Sequence, residues 1–510
     1  MLNATPLLNL YARLRLRQLR GSDPRTVQER QLLRLVGKAR DTRFGRDHGF
    51  AGIRSVQDFQ QRVPLRTYDS FWTDYWQPSF PILINATWPG TVPYFAMTSG
   101  TTTGVTKYIP CTQPMIASNV RAGTDLFMFH VINRPGSRVL GGQSFMLGGS
   151  TRLEQLASGV QAGPVSGILA KRIPWWAKGR QFPPAEIAAI PDWEQRVEAI
   201  GSAALDKDIR VIGGTPSWLL ILFDRLAERR PGVERRLAAL FPGLELLVHG
   251  GVSFAPYRPL FRELLQGSHA ETREVYPASE GFIALADRGN GEGLRLMLDT
   301  GLFYEFIPVE ELGAPAPTRH WIETVRKDIN YAIVLSTCAG LWSYIVGDTI
   351  RFVDLDPPRI LVTGRTSYSL SAFGEHLIGE EIEASVAHAA EAIGSGISDY
   401  AVGVLFPEKQ GDLGRHLFLV EFTEADVGEG RLQTFAQVLD RSLAQRNDDY
   451  RTHRLGDLAM QAPLVQALKP GTYAAWMKSR GKLGDQHKVP RIINDQDLFR
   501  NLREFAGTTA

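Results

Sequence analysis

One loop constrains this chain more than any other segment, because it concentrates glycines and hydroxyl side chains directly after an apolar stretch. It lies within Tyr94-Phe-Ala-Met-Thr-Ser-Gly-Thr-Thr-Thr-Gly-Val-Thr-Lys-Tyr108. Gly100 and Gly104 allow a tight turn that brings backbone N–H groups to an anion, and Lys107 adds a charge-assisted donor. The hydroxyl donors of this loop are Thr98, Ser99, Thr101, Thr102 and Thr103. These groups suit a triphosphate, although an ordinary threonine-rich turn has the same composition.

The glycine spacing of this loop excludes the commonest phosphate-binding pattern. A Walker A loop has four residues between its glycines and ends in Gly-Lys-Ser/Thr. Here only Thr101, Thr102 and Thr103 separate Gly100 from Gly104. The sequence therefore disfavours a P-loop kinase or ATPase.

Length and composition predict a soluble globular protein with more than one domain. A chain of 510 residues exceeds what one hydrophobic core usually supports. Hydrophobic residues make up 44% and charged residues 22%, which excludes a disordered or fibrous class. The formal net charge is only +3, so nothing in the overall charge predicts binding to nucleic acid or to a membrane. We expect a monomer with small-molecule partners.

The cysteine content indicates a reducing, cytoplasmic location. Cys111 and Cys338 are the only cysteines, and they lie far apart and outside any metal-ligand spacing. No apolar run approaches the length of a membrane helix. Four arginines among leucines near the N-terminus resemble a targeting peptide, but no signal-type apolar core follows, so we expect a surface helix there.

Hydrophobic periodicity predicts an α/β fold. Residues 7–40 read as two helices broken near Gly21-Ser-Asp-Pro24. Between 209 and 265, strand-like runs alternate with helical ones, as in a sheet with crossover connections. Residues 294–355 contain short alternating strands, which predicts a β-rich subdomain.

A smaller C-terminal domain is predicted from a second change of pattern. A helix over 379–393 is followed by strands at 400–406 and 416–422 and by a helix over 431–446. We expect a hinge within 363–372. The predicted domains are residues 1–365 and 366–510.

The segment Val275-Tyr-Pro-Ala-Ser-Glu-Gly281 places a carboxylate at a strand end or tight turn. Glu280 can hold Mg²⁺, which typically takes one protein carboxylate together with nucleotide phosphates and water. Tyr276 is placed to flank a purine ring. The alternatives are a turn-capping acid and a tyrosine that belongs to the core.

Two further segments carry groups suited to a ribose or a phosphate. Trp342-Ser-Tyr-Ile-Val-Gly-Asp348 ends in a carboxylate that can accept hydrogen bonds from vicinal ribose hydroxyls. Arg365 follows a strand and a glycine and is suited to ribose or phosphate. A β-turn for Asp348 and a surface ion pair for Arg365 are the alternatives.

Near the C-terminus, His487-Lys-Val-Pro-Arg491 places two cations beside a proline of fixed φ. Lys488 can cover an α-phosphate. The alternative is an exposed basic turn.

Taken in order, these segments resemble the acyl acid amido synthetases of the Gretchen Hagen three (auxin-responsive) family, within the acyl-adenylate-forming superfamily. Thr98 to Lys107 is similar to that family's Ser/Thr-Gly-rich phosphate motif. Tyr276 to Glu280 is similar to its Tyr-x-x-Ser-Glu motif, and Tyr344 to Asp348 to its Tyr-x-x-Gly-Asp motif. The resemblance covers about residues 60–495. It implies a large N-terminal adenylate-forming domain, with α/β sheets and a β-rich subdomain, and a smaller, mobile α+β C-terminal domain.

The resemblance also implies a reaction and a set of site residues. ATP and a carboxylic acid would give an acyl-adenylate and pyrophosphate, and an amine, such as that of an amino acid, would then displace AMP to leave an amide. Glu280 would bind Mg²⁺, and Lys488 would arrive with the C-terminal domain. The residues expected to hold ATP are Thr98, Ser99, Gly100, Thr101, Thr102, Lys107, Tyr276, Ser279, Asp348 and Arg365. The acid pocket is expected to involve Arg121, Val252 and Ser253.

Two other functions fit the same residues. An acyl-coenzyme A ligase would share the adenylation step but deliver the acyl group to a thiol. A catalytically silent nucleotide-binding scaffold would keep the fold without the reaction. The presence of Glu280, Asp348 and Lys488 argues against the scaffold.

Overall fold

A computed structural model describes most of the chain. The described residues are 2–99, 106–148, 151–172, 179–190, 193–230, 235–251, 254, 257–289, 291–366, 369–370, 375, 377–406, 413–447, 450–451, 454, 460–482 and 488–508. The chain divides into two compact units. The first comprises residues 1–215, 221–251 and 267–361, and the second comprises 216–220, 252–266 and 362–510.

The helices occur in both units and include the two predicted near the N-terminus. In the first part of the chain they are α1 Thr5–Arg20, α2 Pro24–Ala39, α3 Arg43–Asp47, α4 Val56–Arg62, α5 Tyr68–Phe71, α6 Gln113–Asn133, α7 Val165–Ala170, α8 Ala185–Ala188 and α9 Trp193–Ala204. Further along they are α10 Pro216–Glu228, α11 Leu237–Leu240, α12 Arg258–Leu264, α13 Gly379–Ala392, α14 Glu429–Arg446, α15 Thr472–Ser479 and α16 Gln496–Thr508. Asp23 caps α2 by accepting the N–H of Thr26, which explains the break at Gly21–Pro24.

The strands follow in chain order. They are β1 Tyr94–Ser99, β2 Thr106–Cys111, β3 Gln143–Leu147, β4 Glu154–Ala157, β5 Val160–Gly163, β6 Gln181–Phe182, β7 Ile209–Gly214, β8 Leu246–Gly250, β9 Glu271–Ala278, β10 Gly281–Leu285 and β11 Leu294–Leu296. The remainder are β12 Leu302–Pro308, β13 His320–Trp321, β14 Asn330–Thr337, β15 Tyr344–Leu355, β16 Pro358–Arg365, β17 Ser369–Leu370, β18 Leu377–Ile378, β19 Ile397–Leu405, β20 Arg415–Phe422, β21 Leu464–Leu468 and β22 Ile492–Ile493.

The main sheet has a parallel half and an antiparallel half. Among the described residues its order is β13-β12-β14-β15-β16-β11-β10-β9-β8-β7-β3-β6. The pairs from β6 to β9 are parallel, and helices α10 and α12 come between β7, β8 and β9 along the chain. This confirms the predicted α/β sheet with crossovers. A separate sheet has the order β2-β1-β5-β4.

The antiparallel half corresponds to the predicted β-rich subdomain, but it continues the same sheet. The hydroxyl of Tyr304 in β12 donates to the carbonyl oxygen of Ile283 in β10 at 3.1 Å, although four strands lie between β12 and β10 in the sheet order. This half of the sheet is therefore strongly curled. The buried residues Leu302, Phe306 and Ile350 belong to one hydrophobic cluster inside this curl. The first unit therefore has its main core where the sheet bends.

The main sheet of the second unit has four strands and lies between two layers of helices. Its strand order is β21-β20-β19-β22. Alternate residues of β19 and β20 point to opposite faces: Val402 and Phe418 belong to the cluster that includes α13 and α14. Ala401 and Leu419 belong to the cluster that includes α15 and α16. The predicted helices and strands of the C-terminal domain are thus present, each within a few residues of its expected bounds.

Candidate active site

The glycine-threonine segment connects two antiparallel strands along the chain. Strands β1 and β2 pair with Thr98 opposite Lys107 and Ser99 opposite Thr106. The connecting residues, with the predicted ligands Gly100, Thr101 and Thr102, lie outside the described residues, as do the side chains of Thr98 and Ser99. The hairpin therefore fixes where the loop begins and ends.

A tyrosine that the sequence reasoning missed supports this hairpin. The Nζ of Lys107 lies 5.3 Å from the ring centroid of Tyr68, and the hydroxyl of Tyr68 accepts the backbone N–H of Tyr108 at 3.0 Å. Tyr68 begins α5, where Thr67 and Ser70 form a capping box. That box is a sequence signal, but it gives no indication of what Tyr68 contacts.

The Tyr-x-x-Ser-Glu motif forms a second hairpin, as its predicted turn requires. Ala278 of β9 pairs with Gly281 of β10, so Ser279 and Glu280 are the two turn residues, and Glu280 is half-buried. Gly281 has φ +155°, and a Cβ there would lie 2.9 Å from the Leu302 side chain. The positive φ and the contact with Leu302 together favour glycine here, so the turn that carries Glu280 packs closely against β12.

Asp348 lies in a bulged strand rather than in the β-turn that was the alternative expectation. Strand β15 pairs Ile345 with Val334 and Thr349 with Ala332, so three residues of β15 face one residue of β14. Gly347 has φ +91° within this bulge. A bulge bends the strand and redirects its side chains, and Asp348 is only 8% exposed.

The structure brings Tyr276 and Asp348 into direct contact. The hydroxyl of Tyr276 donates to Oδ2 of Asp348 at 2.5 Å, across 72 residues of sequence. A hydroxyl bonded to a carboxylate at this distance is a strong, charge-assisted hydrogen bond. Tyr276, expected to flank a purine ring, therefore also orients the carboxylate expected to bind ribose.

One core cluster joins all three motif segments. Tyr68 and Tyr344 are buried in it, and the motif residues packed against it are Met97, Tyr108, Tyr276, Ala278 and Val346. The segment before α5 also contacts β15, because Ile345 donates its N–H to the carbonyl oxygen of Arg66 at 2.9 Å. The β1–β2 hairpin, the β9–β10 hairpin and the start of β15 thus pack against the same core cluster.

The remaining predicted residues of the first unit and of the acid pocket lie in other elements or outside the described residues. Arg121 lies in α6 and forms an ion pair with Asp299 at 3.1 Å, and Asp299 also pairs with the buried Arg15. Val252 and Ser253 lie outside the described residues. Arg365 ends β16, and its side chain is not among those described.

Lys488 belongs to the second unit and is exposed. Val489, which follows it, is only 8% exposed and belongs to the cluster of α15 and α16. Strand β22 then pairs with β19, with Ile492 opposite Val402. The segment is therefore anchored immediately after the lysine.

The described residues were considered for metal ligands and for membrane-spanning helices because both bear on the kind of site present. They contain no cluster of three or more histidine, cysteine or acidic side chains suited to hold a metal ion. A lone Glu280 carboxylate is compatible with Mg²⁺, because this ion takes most of its ligands from phosphate and water. Within the same ranges, no helix has the length and hydropathy to cross a bilayer.

Comparisons with solved structures define the class of this fold. A structure of GH3.15 acyl acid amido synthetase in complex with 2,4-DB matches with a TM-score of 0.79 at 18% identity, over 96% of this chain and 95% of that chain. A structure of 2-hydroxyisobutyryl-CoA ligase in complex with 2-HIB-AMP matches with a TM-score of 0.58 at 15% identity, over 94% and 91% of the two chains. The fold is that of the adenylate-forming enzymes.

Matches to models of protein families identify the family to which this chain belongs within that fold class. The GH3 N-terminal domain matches residues 18–215, the GH3 central domain 295–365 and the GH3 C-terminal domain 380–497. This chain belongs to the GH3 family, as its motifs predicted. A curated relative, indole-3-acetic acid-amido synthetase GH3.8 of Oryza sativa subsp. indica, is 24% identical in an alignment 269 positions long that covers 49% of this chain. The chain spans only 43% of that relative's length.

Proposed function

We propose that this protein is an ATP-dependent ligase that joins a small carboxylic acid to an amine, that of an amino acid, through an acyl-adenylate. The observation that carries the proposal is the hydrogen bond from Tyr276 to Asp348. It joins two segments that are distant in sequence and that both resemble nucleotide-binding motifs. Family membership supports the same activity.

The proposed reaction has two steps. An oxygen of the substrate carboxylate attacks the α-phosphorus of ATP, and pyrophosphate leaves as the acyl-adenylate forms. The amine nitrogen then attacks the acyl carbon, the C–O bond to AMP breaks, and the nitrogen loses a proton. No protein nucleophile is required in either step.

We assign roles to residues of the first unit by their chemistry. The hairpin loop with Thr98, Ser99, Gly100, Thr101 and Thr102 would offer N–H and hydroxyl donors to the phosphates. Lys107 would add a cation whose position is limited by the ring of Tyr68.

The ribose and metal roles fall to the two other motifs. Asp348 would accept hydrogen bonds from ribose hydroxyls, held in orientation by Tyr276, and Ser279 would lie beside the nucleotide. Glu280 would hold Mg²⁺, which when bound neutralises charge on the phosphates.

The remaining roles complete the proposal. Residues 1–365 would be the adenylation domain and 366–510 a mobile lid that supplies Lys488 to the α-phosphate, with Arg365 contacting the ribose. Val252 and Ser253 would border the acid. Arg121 has less to offer the acid, because Asp299 already balances its charge.

We further propose a cytoplasmic monomer, since the free thiols of Cys111 and Cys338 fit a reducing compartment.

A pyrophosphate-release screen tests the proposal. Carboxylic acids such as indole-3-acetate, benzoates, jasmonate-like acids and fatty acids would be crossed with amino acids and with coenzyme A, and products identified by mass spectrometry. Amide products with release of AMP are expected. A thioester without any amide would instead assign an acyl-coenzyme A ligase. No pyrophosphate release across the panel would indicate a silent scaffold.

A further inference from the structure

Arg491, the second cation of the C-terminal motif, is held by several groups of the second unit at once. Its Nη1 bonds to the carboxylate of Asp399 and to the carbonyl oxygen of Tyr400, the latter at 3.1 Å. Its guanidinium carbon lies 4.4 Å from the ring centroid of Tyr400. Its side chain is only 15% exposed. These contacts fix the orientation of the guanidinium, because its planar group of N–H donors is already hydrogen-bonded and its face packs on a ring.

The other terminal nitrogen of Arg491 contacts a segment from the middle of the chain. Its Nη2 donates to the hydroxyl of Tyr257 at 2.5 Å, although 234 residues separate the two. Tyr257 is only 1% exposed and lies immediately before α12. Its N–H donates to the carbonyl oxygen of Phe254 at 3.0 Å. Phe254 directly follows Val252 and Ser253, the residues proposed to border the acid.

The backbone around Arg491 transmits this anchoring to Lys488. The N–H of Val402 in β19 donates to the carbonyl oxygen of Arg491 at 2.8 Å, and Val489 is buried in the core. Lys488 is exposed and lies three residues before Arg491, so the contacts of Val489 and Arg491 limit where the lysine can lie.

We infer that Arg491 is a positioning residue, which holds the Lys488 segment against the start of α12 through its bond to the Tyr257 hydroxyl. The inference rests on the proposed function, in which Lys488 stabilises charge on the α-phosphate during adenylation. The second step has no such requirement. Loss of the Arg491–Tyr257 bond should therefore slow adenylation and spare the attack of the amine on the acyl-adenylate.

The test separates the two half-reactions in Tyr257→Phe, which removes the hydroxyl and keeps the buried ring. Single-turnover formation of acyl-adenylate should slow about 10-fold, the effect of one lost hydrogen bond to a charged group. The KM for ATP and the rate at which added acyl-adenylate reacts with the amine should stay unchanged. Arg491→Lys should behave similarly, and Lys488→Ala sets the upper limit of the effect.

Tyr473→Phe is the matched control in the same unit. The Tyr473 hydroxyl donates to the carbonyl oxygen of Leu419 at 2.8 Å, and Tyr473 is only 2% exposed. The substitution removes a comparable buried hydrogen bond and leaves the Arg491–Tyr257 bond in place. Both half-reactions should keep the wild-type rate in this variant.

Hydrogen–deuterium exchange gives a readout that needs no substrate. Amides of residues 488–493 should exchange faster in Tyr257→Phe than in the wild-type protein or in Tyr473→Phe. Unchanged exchange there would overturn the positioning role by itself. An equal slowing of both half-reactions would also overturn it, because a general loss of stability acts on both. Absence of adenylation by the wild-type protein with every acid would instead refute the proposed function.

Discussion

The contact between Tyr276 and Asp348 leads to a quantitative prediction. Tyr276→Phe removes the hydroxyl that donates to Oδ2 of Asp348 at 2.5 Å and leaves the ring in place. A hydrogen bond to a charged group contributes roughly 1.5–3 kcal/mol. Asp348 is 8% exposed, so water can replace the lost donor only in part.

We expect the loss to weaken ATP binding rather than the chemical step. A carboxylate that binds the ribose makes the same contact in the ground state and in the transition state, so its loss raises KM and leaves kcat largely unchanged. If the lost hydrogen bond contributes up to about 2 kcal/mol to ATP binding, the KM for ATP should rise by roughly 10- to 30-fold. ATP–pyrophosphate exchange at varied ATP and saturating acid measures this directly.

Tyr304→Phe is the control for a general loss of stability. Its hydroxyl donates to the carbonyl oxygens of Ile283 and Met297, each at 3.1 Å, within the same core. This variant should lose unfolding free energy but keep the wild-type KM for ATP. If Tyr276→Phe loses stability while its KM for ATP stays at the wild-type value, the assignment of Asp348 to the ribose is wrong.

The remaining predictions concern the metal and the pH dependence of stability. Glu280→Ala should reduce Mg²⁺-dependent exchange by about 100-fold with little change in melting temperature, because Glu280 lies in a half-buried turn; retained Mg²⁺-dependent exchange would exclude its metal role. Burial, with a further contribution from Asp399, raises the pKa of Glu421 from 4.5 to about 7. The folded state therefore binds this proton more tightly than the unfolded state, and unfolding free energy should fall by about 3 kcal/mol as pH rises from about 4.5 to 7. Glu421→Gln should flatten this slope in denaturant titrations at several pH values, and an unchanged slope would contradict the assignment.

Local patterns in the sequence predicted much of the fold. The break between α1 and α2, the alternation of strands and helices over 209–265, and the elements of the C-terminal domain depend on residues close in sequence. The turn at Ser279 and Glu280 is predicted by the same kind of signal, because glycine follows a short polar pair. Hydrophobic periodicity could not show that the β-rich part continues the main sheet, since strand pairing depends on distant segments.

The setting of Asp348 illustrates where sequence reasoning stops. A Gly-Asp pair after an apolar run is compatible with a turn or with a strand, and only the pairing with β14 reveals the bulge. Arg121 was expected to border the acid pocket, and no local pattern in the sequence shows that the tertiary structure pairs it with Asp299.

The sequence by itself determined the chemistry available to this protein: a hairpin loop rich in donors, a turn carboxylate, a strand carboxylate and a C-terminal lysine, each a property of a few neighbouring residues. The tertiary structure alone decided which of these groups meet. Tyr68 reaches Tyr108 across 40 residues, Tyr276 reaches Asp348 across 72, and Arg491 reaches Tyr257 across 234. Hydrophobic periodicity and helix or strand propensity depend on residues within one or two helical turns of each other. Contacts between residues 40 or more positions apart therefore form only when the hydrophobic cores pack.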